Sequence, residues 1–161
     1  MTPPGRHPRT PRASKAVVAD LMMPHQANAL RIPSVFGGVV MNMVDRCAAL
    51  SAMRHASGQV TTLSIDRILF KEPIRVGELV EVRSRVVRVG RTSMSVLANV
   101  YAEHIASGVR RHTNECWLTF VHLDDEGKPA PVPPLLLETD DDRRVNEVAN
   151  RRRDQLLADL A

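Results

Sequence analysis

The stretch FGGVVMNMVDRCAALSAMRHAS, residues 36–57, decides the fold. After its glycine pair, apolar residues fall on almost every side of a helix instead of forming one stripe. A helix that is apolar all round is buried in a folded protein. We therefore expect one long central helix, with Ser34 as its N-cap and with Ser57 and Gly58 ending it in the left-handed conformation.

One carboxylate, that of Asp45, lies in the middle of this helix. Its neighbours on the same helical face are all apolar: Met41, Ala48, Ala49 and Ala52. A carboxylate that loses its hydration among methyl groups acquires a raised pKa or serves a reaction. The alternative is a purely structural aspartate, satisfied by a hydroxyl or amide such as that of Asn42 or Thr61.

The glycine pair at the start of the helix offers groups that complement this carboxylate. Gly37 and Gly38 present backbone N–H groups, without side-chain cover, at the positive end of the helix dipole. A carbonyl oxygen that gains negative charge is stabilised there. Asp45 follows about 10 Å further along the axis, and its side chain leans back towards the glycines. The helix thus predicts a site for one electrophilic carbon and one water molecule.

Length and composition restrict the class of protein. With 161 residues, 43% of them hydrophobic and 3% aromatic, the chain predicts one domain with an aliphatic, methionine-rich core. Cys47 and Cys116 form no metal-binding pattern, so we expect reduced core thiols and no metal site. The sequence contains no long apolar run and no apolar leader, which predicts a cytoplasmic protein without membrane association.

The net charge of +4 makes an anionic partner worth considering. Much of the positive charge lies near the two ends of the chain. Residues 1–13 are rich in proline and arginine and predict a disordered basic tail. Nucleic-acid binding favours aromatic residues between the basic ones, and this chain has few. We therefore expect no nucleic-acid partner.

Strand patterns flank the central helix. One predicted strand precedes the helix and four follow it, at residues 14–23, 59–70, 79–89, 92–105 and 109–123. Short connections make neighbouring strands antiparallel. A single sheet cannot cover a helix that is apolar all round, so residues 14–136 predict an α+β domain that a second copy completes. Residues 137–161 predict a solvated, charged C-terminal helix or tail that only an oligomer contact would order.

Five motifs occur in order along the chain: MPHQAN (23–28), VFGGVVMNMVD (35–45), FKEPIRVGE (70–78), VGRTSMSV (89–96) and DEGKPAPVPPL (125–135). Together they resemble the hotdog-fold acyl-CoA thioesterases, in the branch of the bacterial short-chain acyl-CoA hydrolases and the cytosolic brain-type enzyme. The resemblance covers roughly residues 16–136. It implies a hotdog fold, in which an antiparallel sheet of about five strands wraps the long central helix. It also implies a homo-oligomer with a dimer as the minimal unit, commonly a hexamer built as a trimer of dimers.

The resemblance implies roles for individual residues. Asp45 matches the acid that activates water or attacks the thioester, and Gly38, with Gly37, matches the N–H that polarises the thioester carbonyl. Asn28 matches an asparagine that the opposing protomer brings to the same site. The further expected substrate contacts are His25, Phe36, Arg91, Thr92 and Ser93, of which the last three resemble the stretch near the CoA moiety. The loop between Asn28 and Phe36 is about two residues longer than the family pattern.

These expectations describe an acyl-CoA thioesterase that needs no cofactor, because CoA is part of the substrate. A thioester carbonyl requires a base and an oxyanion site, and the helix offers both. A hotdog dehydratase would need a catalytic histidine, and the helix has none before His55. The alternative is a non-catalytic acyl-CoA-binding module, in which Asp45 is only a core carboxylate with its hydrogen bonds satisfied. Basic residues that fit the CoA polyanion are Lys71, Arg75, Arg88, Arg91, Arg110 and Arg111.

Overall fold

A computed structural model describes residues 7–161. The strands are β1 (Ala16–Leu21), β2 (Gln59–Ile65), β3 (Leu79–Val89), β4 (Ser93–His104) and β5 (Val109–Leu123), and the helices are α1 (Gly37–Ala56) and α2 (Asp140–Leu160). Two short 3-10 helices, Pro11–Ser14 and Pro24–Gln26, flank β1. β2 ends at Ile65 instead of Phe70, because the following residues leave the sheet and cross towards the start of α1.

The five strands form one antiparallel sheet in the order β1-β3-β4-β5-β2. α1 packs against the inner face of this sheet and contacts all five strands. The core between them is aliphatic and rich in methionine, with Met22, Met43, Met94 and Phe120 among its largest buried side chains. The predicted α+β arrangement, a sheet of five antiparallel strands around one long helix, is confirmed.

The sequence predicted the C-terminal end of α1 correctly, but not its N-cap. Ser57 has a φ of 54° and ends the helix in the left-handed conformation, as expected. The predicted N-cap is wrong: Phe36 occupies that position and offers no side-chain oxygen to cap the helix. Ser34 instead bonds to Asn28 in the preceding loop. The first turn of α1 is therefore left without a side-chain cap.

The single chain does not bury α1 on all sides, as expected for a helix that one sheet alone cannot cover. Its sheet-facing residues Val40, Val44 and Cys47 are at most 2% exposed, whereas Met41 and Met53 on the other side are 39% and 40% exposed. One sheet covers only one side of a helix, so the remaining apolar side lies open in the isolated chain. This uncovered face is the one that a second copy was expected to complete.

The C-terminal helix α2 packs on the outer face of the sheet and differs from the expected solvated segment. Val145 and Ala149 are buried there against a small apolar group: Val87, Leu97 and Trp117. The side-chain amide of Asn146 donates to the carbonyl of Val87 at 2.8 Å. Thr139 caps the helix by accepting from the N–H of Asp142. These contacts order α2 within one chain.

The segment before β1 is partly structured. The predicted tail of residues 1–13 includes residues 1–6, which lie outside the described part. Residues 10–14 depart from the expected disorder, since Thr10 caps the first 3-10 helix and Pro11 is buried. The N–H of Arg9 donates to the carbonyl of Pro134, and the N–H of Leu136 donates to the carbonyl of Arg9. The segment is thereby tied to the chain just before α2.

Candidate active site

The start of α1 carries two unoccupied backbone donors. The N–H groups of Gly37 and Gly38 donate no hydrogen bond to any residue within 7–161. A Cβ on Gly38 would meet nothing within 4 Å, whereas one on Gly37 would lie 3.0 Å from the ring of Phe70. Because these donors lie at the positive end of the helix dipole, they can stabilise an oxygen that gains negative charge.

Asp45 is half-buried in the chain, and its carboxylate has one defined partner. The hydroxyl of Thr62 donates to Asp45 Oδ1 at 2.9 Å. The expected partners, Asn42 or Thr61, are wrong, since neither bonds to Asp45 within residues 7–161. The bond uses one carboxylate oxygen and leaves Oδ2 with no hydrogen-bond donor in the described chain. A carboxylate held in this way is oriented but not neutralised.

A β-bulge in β2 decides which threonine reaches Asp45. Thr62 lies opposite Phe120 of β5, whereas Ser64 lies opposite Thr119, so Leu63 is an extra residue. Phe120 belongs to the buried inner face of the sheet. Thr62 therefore points to the side where α1 lies. Thr62 is the site residue that the sequence analysis missed, because strict alternation does not reveal a bulge.

Asn28 is fixed within its own loop. Its Nδ2 donates to Ser34 Oγ at 2.9 Å, and its Oδ1 accepts from the N–H groups of Ser34 and Leu30. None of its hydrogen bonds in the described chain goes to Asp45. His25 is exposed in the second 3-10 helix, and Phe36 is 52% exposed at the N-cap of α1. The single chain therefore holds Asn28 rigidly without bringing it to the carboxylate.

Arg91, Thr92 and Ser93 lie at the opposite end of α1 from the glycines. The Arg91 carbonyl accepts from the N–H of Val132, in the proline-rich strap of residues 129–134. The same strap binds the end of α1, where the Nε2 of His55 contacts the carbonyl of Pro133 at 2.9 Å. Seventeen residues separate His55 from Gly38, about 25 Å along a helix. One chain thus does not bring this turn together with the glycines.

Most of the basic residues considered for CoA already have partners. Arg111 bonds to Glu72 and to the buried Glu78, and these hydrogen bonds raise the pKa of its guanidinium. Arg110 pairs with Glu81 at 2.7 Å. By contrast, Lys71 and Arg91 are exposed and have no carboxylate within 4.0 Å among residues 7–161. Of the basic residues proposed for CoA, these two are better placed for an anion than Arg110 and Arg111.

The two cysteines belong to the core, as predicted. Cys47 and Cys116 are both fully buried and free. Burial, with a smaller contribution from Asp66, raises the pKa of Cys116 to about 12. Burial also raises the pKa of Cys47. A thiol with a raised pKa is a poor nucleophile at neutral pH, so neither cysteine is a candidate nucleophile.

No group of three or more His, Cys, Asp or Glu side chains within 7–161 is arranged to hold a metal ion. No helix in the same range is long and apolar enough to cross a membrane.

Comparison with known proteins identifies the class. The sequence profile of the thioesterase superfamily matches residues 33–109. The uncharacterized acyl-CoA thioester hydrolase YkhA of Bacillus subtilis is 36% identical over 150 residues, which span 88% of this chain and 86% of that protein. Among solved structures, an apo-hexameric acyl-CoA thioesterase superposes with a TM-score of 0.91 at 35% identity, covering 96% of this chain and 98% of that one.

A second solved structure is an acyl-CoA hydrolase from Staphylococcus aureus in complex with butyryl coenzyme A, coenzyme A and coenzyme A disulfide. It superposes with a TM-score of 0.85 at 31% identity, covering 93% of this chain and 90% of that one. Alanine variants of that enzyme at one threonine, one aspartate and one asparagine have also been solved.

The fold is therefore a hotdog fold, with a helix start able to polarise a carbonyl. The chain belongs to the thioesterase superfamily and, within it, to the acyl-CoA thioester hydrolases, a family of enzymes.

Proposed function

We propose that this protein hydrolyses the thioester of acyl-CoA to a free acid and CoA at a site on α1. One observation carries the proposal: a single helix holds at its start two N–H groups that have no acceptor among residues 7–161 and, about 10 Å further on, a carboxylate oriented by Thr62. The N–H of Gly38, with that of Gly37, would receive the thioester oxygen. Asp45 would supply the base or the nucleophile.

The chemistry follows from these two positions. As a base, Asp45 takes a proton from a water molecule through Oδ2, the water oxygen attacks the thioester carbon, and the C–S bond breaks to release the CoA thiolate. As a nucleophile, the same oxygen attacks the carbon, and the C–S bond breaks to release the CoA thiolate and leave a mixed anhydride on Asp45. Water then hydrolyses the anhydride to the free acid and restores the Asp45 carboxylate. In both routes the Gly38 N–H stabilises the oxyanion and Thr62 keeps the carboxylate in position. The reaction uses no cofactor beyond the CoA that belongs to the substrate.

The separation of the two ends of α1 supports a site between copies of the chain. The turn of residues 91–93 lies near the end of α1, about 25 Å from Gly38, and Asn28 makes no hydrogen bond to Asp45 in its own chain. If both elements serve one substrate, different protomers must supply them. We therefore propose a dimer as the minimal active unit and, by analogy with the hexameric relative, a trimer of dimers.

In this arrangement the remaining residues have defined tasks. Asn28 of the opposing protomer would bond to the substrate or to the attacking water. Arg91, Thr92 and Ser93 would lie along the CoA moiety, with the exposed guanidinium of Arg91 near a phosphate. His25 and Phe36, which are exposed at the loop and at the helix start, would contact the substrate beside the reacting carbon.

The substitution Asp45→Asn tests the proposal. It removes the base while keeping the shape of the side chain, so kcat for acyl-CoA hydrolysis should fall by about 10²–10⁴-fold. Release of free CoA thiol measures the rate, and calorimetric titration with CoA should show unchanged affinity. The control Asp159→Asn, an exposed carboxylate on α2, should leave both values unchanged.

Two other outcomes would reject the proposal in different ways. Unchanged turnover in Asp45→Asn would end the catalytic assignment of that residue. A wild-type protein that binds CoA but hydrolyses no acyl-CoA would instead support the non-catalytic binding module.

A further inference from the structure

Phe70 lies directly on the first residue of α1. Its Cζ, Cε2 and Cε1 atoms would lie 3.0, 3.5 and 3.6 Å from a Cβ built on Gly37, so the outer edge of the ring faces the Gly37 backbone. The side chain is nevertheless 50% exposed. The ring therefore covers Gly37, whereas the surroundings of the next residue, Gly38, are open.

Two hydrogen bonds hold the backbone on either side of Phe70. The side-chain Nδ2 of Asn114 donates to the carbonyl of Leu69 at 2.8 Å, and the N–H of Lys71 donates to the carbonyl of Thr113 at 3.1 Å. Both partners are neighbouring residues of β5. Since residues 66–71 belong to no strand, these two hydrogen bonds hold the segment that carries Phe70 in position at the start of α1.

Asn114 is an unusual residue for its position. It is fully buried, and its Oδ1 has no hydrogen-bond partner among residues 7–161. A buried amide oxygen without a partner is destabilising, and a leucine of similar size would avoid that cost. A leucine would, however, lose the bond to the Leu69 carbonyl. The Asn114 amide thus lowers the stability of the fold, but it fixes the position of the segment that carries Phe70.

We propose that Phe70 determines acyl-chain selectivity and that Asn114 is the positioning residue that places its ring. The inference rests on the proposed function, in which the thioester oxygen binds at Gly38. The carbon of that thioester carries an apolar alkyl chain on one side and the polar pantetheine arm on the other. An apolar ring on Gly37, the residue that precedes Gly38, is complementary to the alkyl chain, and its contact with the first methylene groups stabilises the transition state.

The test is a panel of acetyl-, butyryl- and hexanoyl-CoA with the variants Phe70→Ala and Asn114→Leu. Removing the ring should lower the ratio of kcat/KM for butyryl-CoA to that for acetyl-CoA on the order of tenfold, and an increase in this ratio would contradict the proposal. Asn114→Leu should reproduce the direction of that change without a fall in the melting temperature. Product inhibition by CoA should be unchanged in both variants, because the pantetheine side is not altered.

The double variant distinguishes positioning from a general structural effect. If Asn114 acts through the ring, Phe70→Ala with Asn114→Leu should show no further change in the ratio beyond Phe70→Ala alone. Independent, additive changes would overturn the assignment of Asn114. The matched control is Leu69→Ala, which removes the neighbouring side chain, also 50% exposed, and keeps the carbonyl that Asn114 binds. An equal shift in that control would overturn the assignment to the ring.

The failure of this inference is separate from that of the proposed function. Phe70→Ala with normal turnover and an unchanged acyl ratio would reject the selectivity role while the hydrolase assignment stands. A uniform loss across all acyl chains together with weaker CoA inhibition would place Phe70 on the pantetheine side and also reject it. A wild-type protein inactive on the whole panel would reject the proposed function itself.

Discussion

The two helices of this chain are nearly equal in length but differ in almost every other respect. α1 has 20 residues, nine of them buried, and a single carboxylate, whereas α2 has 21 residues, of which Val145 and Ala149 are buried. The side of α2 that faces away from the sheet is charged. The corresponding side of α1 is apolar and half exposed at Met41, Leu50 and Met53.

This difference shows what each helix contributes. A charged outer face is stable in water, so α2 can cover the sheet without a further partner. An apolar outer face next to a carboxylate and free N–H groups is not complete in one chain. We infer that α1 supplies the chemistry and the contact between copies, and that α2 supplies stability. Changes on α1 should therefore alter rates, and changes on α2 should alter the free energy of unfolding.

Among the variants that test this difference between the two helices, Thr62→Val should have the largest effect. The variant keeps the shape of the side chain but removes the hydroxyl that donates to Asp45. A hydrogen bond to a charged group is worth about 1.5–3 kcal/mol, so kcat should fall about 10–100-fold while the melting temperature changes little. Steady-state kinetics and thermal unfolding measure the two quantities.

Thr61→Val is the matched control for this prediction, because Thr61 is the adjacent threonine and makes no bond to Asp45 in the described chain. It should retain wild-type kcat. Equal losses in the two variants would show that the Thr62 hydroxyl has no special role.

A smaller effect, on stability alone, is expected from Val145→Ala on α2. The variant removes two buried methyl groups from the contact with Trp117 and should lower the free energy of unfolding by about 1–2 kcal/mol. Its kcat/KM should remain that of the wild type. Denaturant unfolding and turnover measure the two values. The neutral control is Leu157→Ala, at a residue of α2 that is 48% exposed. A loss of turnover without a loss of stability would contradict the division between the helices.

The smallest effect concerns pH and the far end of α1. Burial, aided by the nearby Arg9, lowers the pKa of His55 below its usual value of 6.5. As the pH falls below 6.5, His55 therefore becomes protonated in the unfolded chain before it does so in the folded protein. Over this range the free energy of unfolding decreases by up to about 1.4 kcal/mol per pH unit, until His55 is protonated in the folded protein as well. His55→Gln should remove this dependence from unfolding curves measured between pH 7 and 5. His104→Gln, at an exposed histidine, should keep it.

The sequence predicted the parts of the fold that depend on regular repetition. The predicted bounds of β3 and β5 agree with the structure, since long antiparallel strands with a clear alternation end at turn residues such as Gly90 and Gly108. α1 was predicted in place because its apolar residues continue over twenty positions. Its missing N-cap was not predicted, because Ser34 is used by the Asn28 loop, which is a tertiary contact.

The details of the site depended on features without a sequence signal. If side chains alternated strictly along β2, then Ile65, Leu63 and Thr61 would all lie on the inner face of the sheet. The bulge at Leu63 changes this assignment and brings Thr62 to Asp45. The packing of α2 was also missed, because two buried positions among charged residues give only a weak periodic pattern. The roles of Asp45, Asn28 and Gly38 remain predictions, and the Asp45→Asn variant tests the first of them.

The pairing of Arg9 with Leu135 has a consequence for protein engineering. The polypeptide enters and leaves the hotdog domain side by side, so a short linker between these positions could join them without crossing the molecule. New ends opened in the exposed turn at Ser107 and Gly108 would then give a circularly permuted enzyme. Such a permutant would keep every strand neighbour and change the order in which the strands are synthesised, but it would also lose α2 and the stability that this helix supplies.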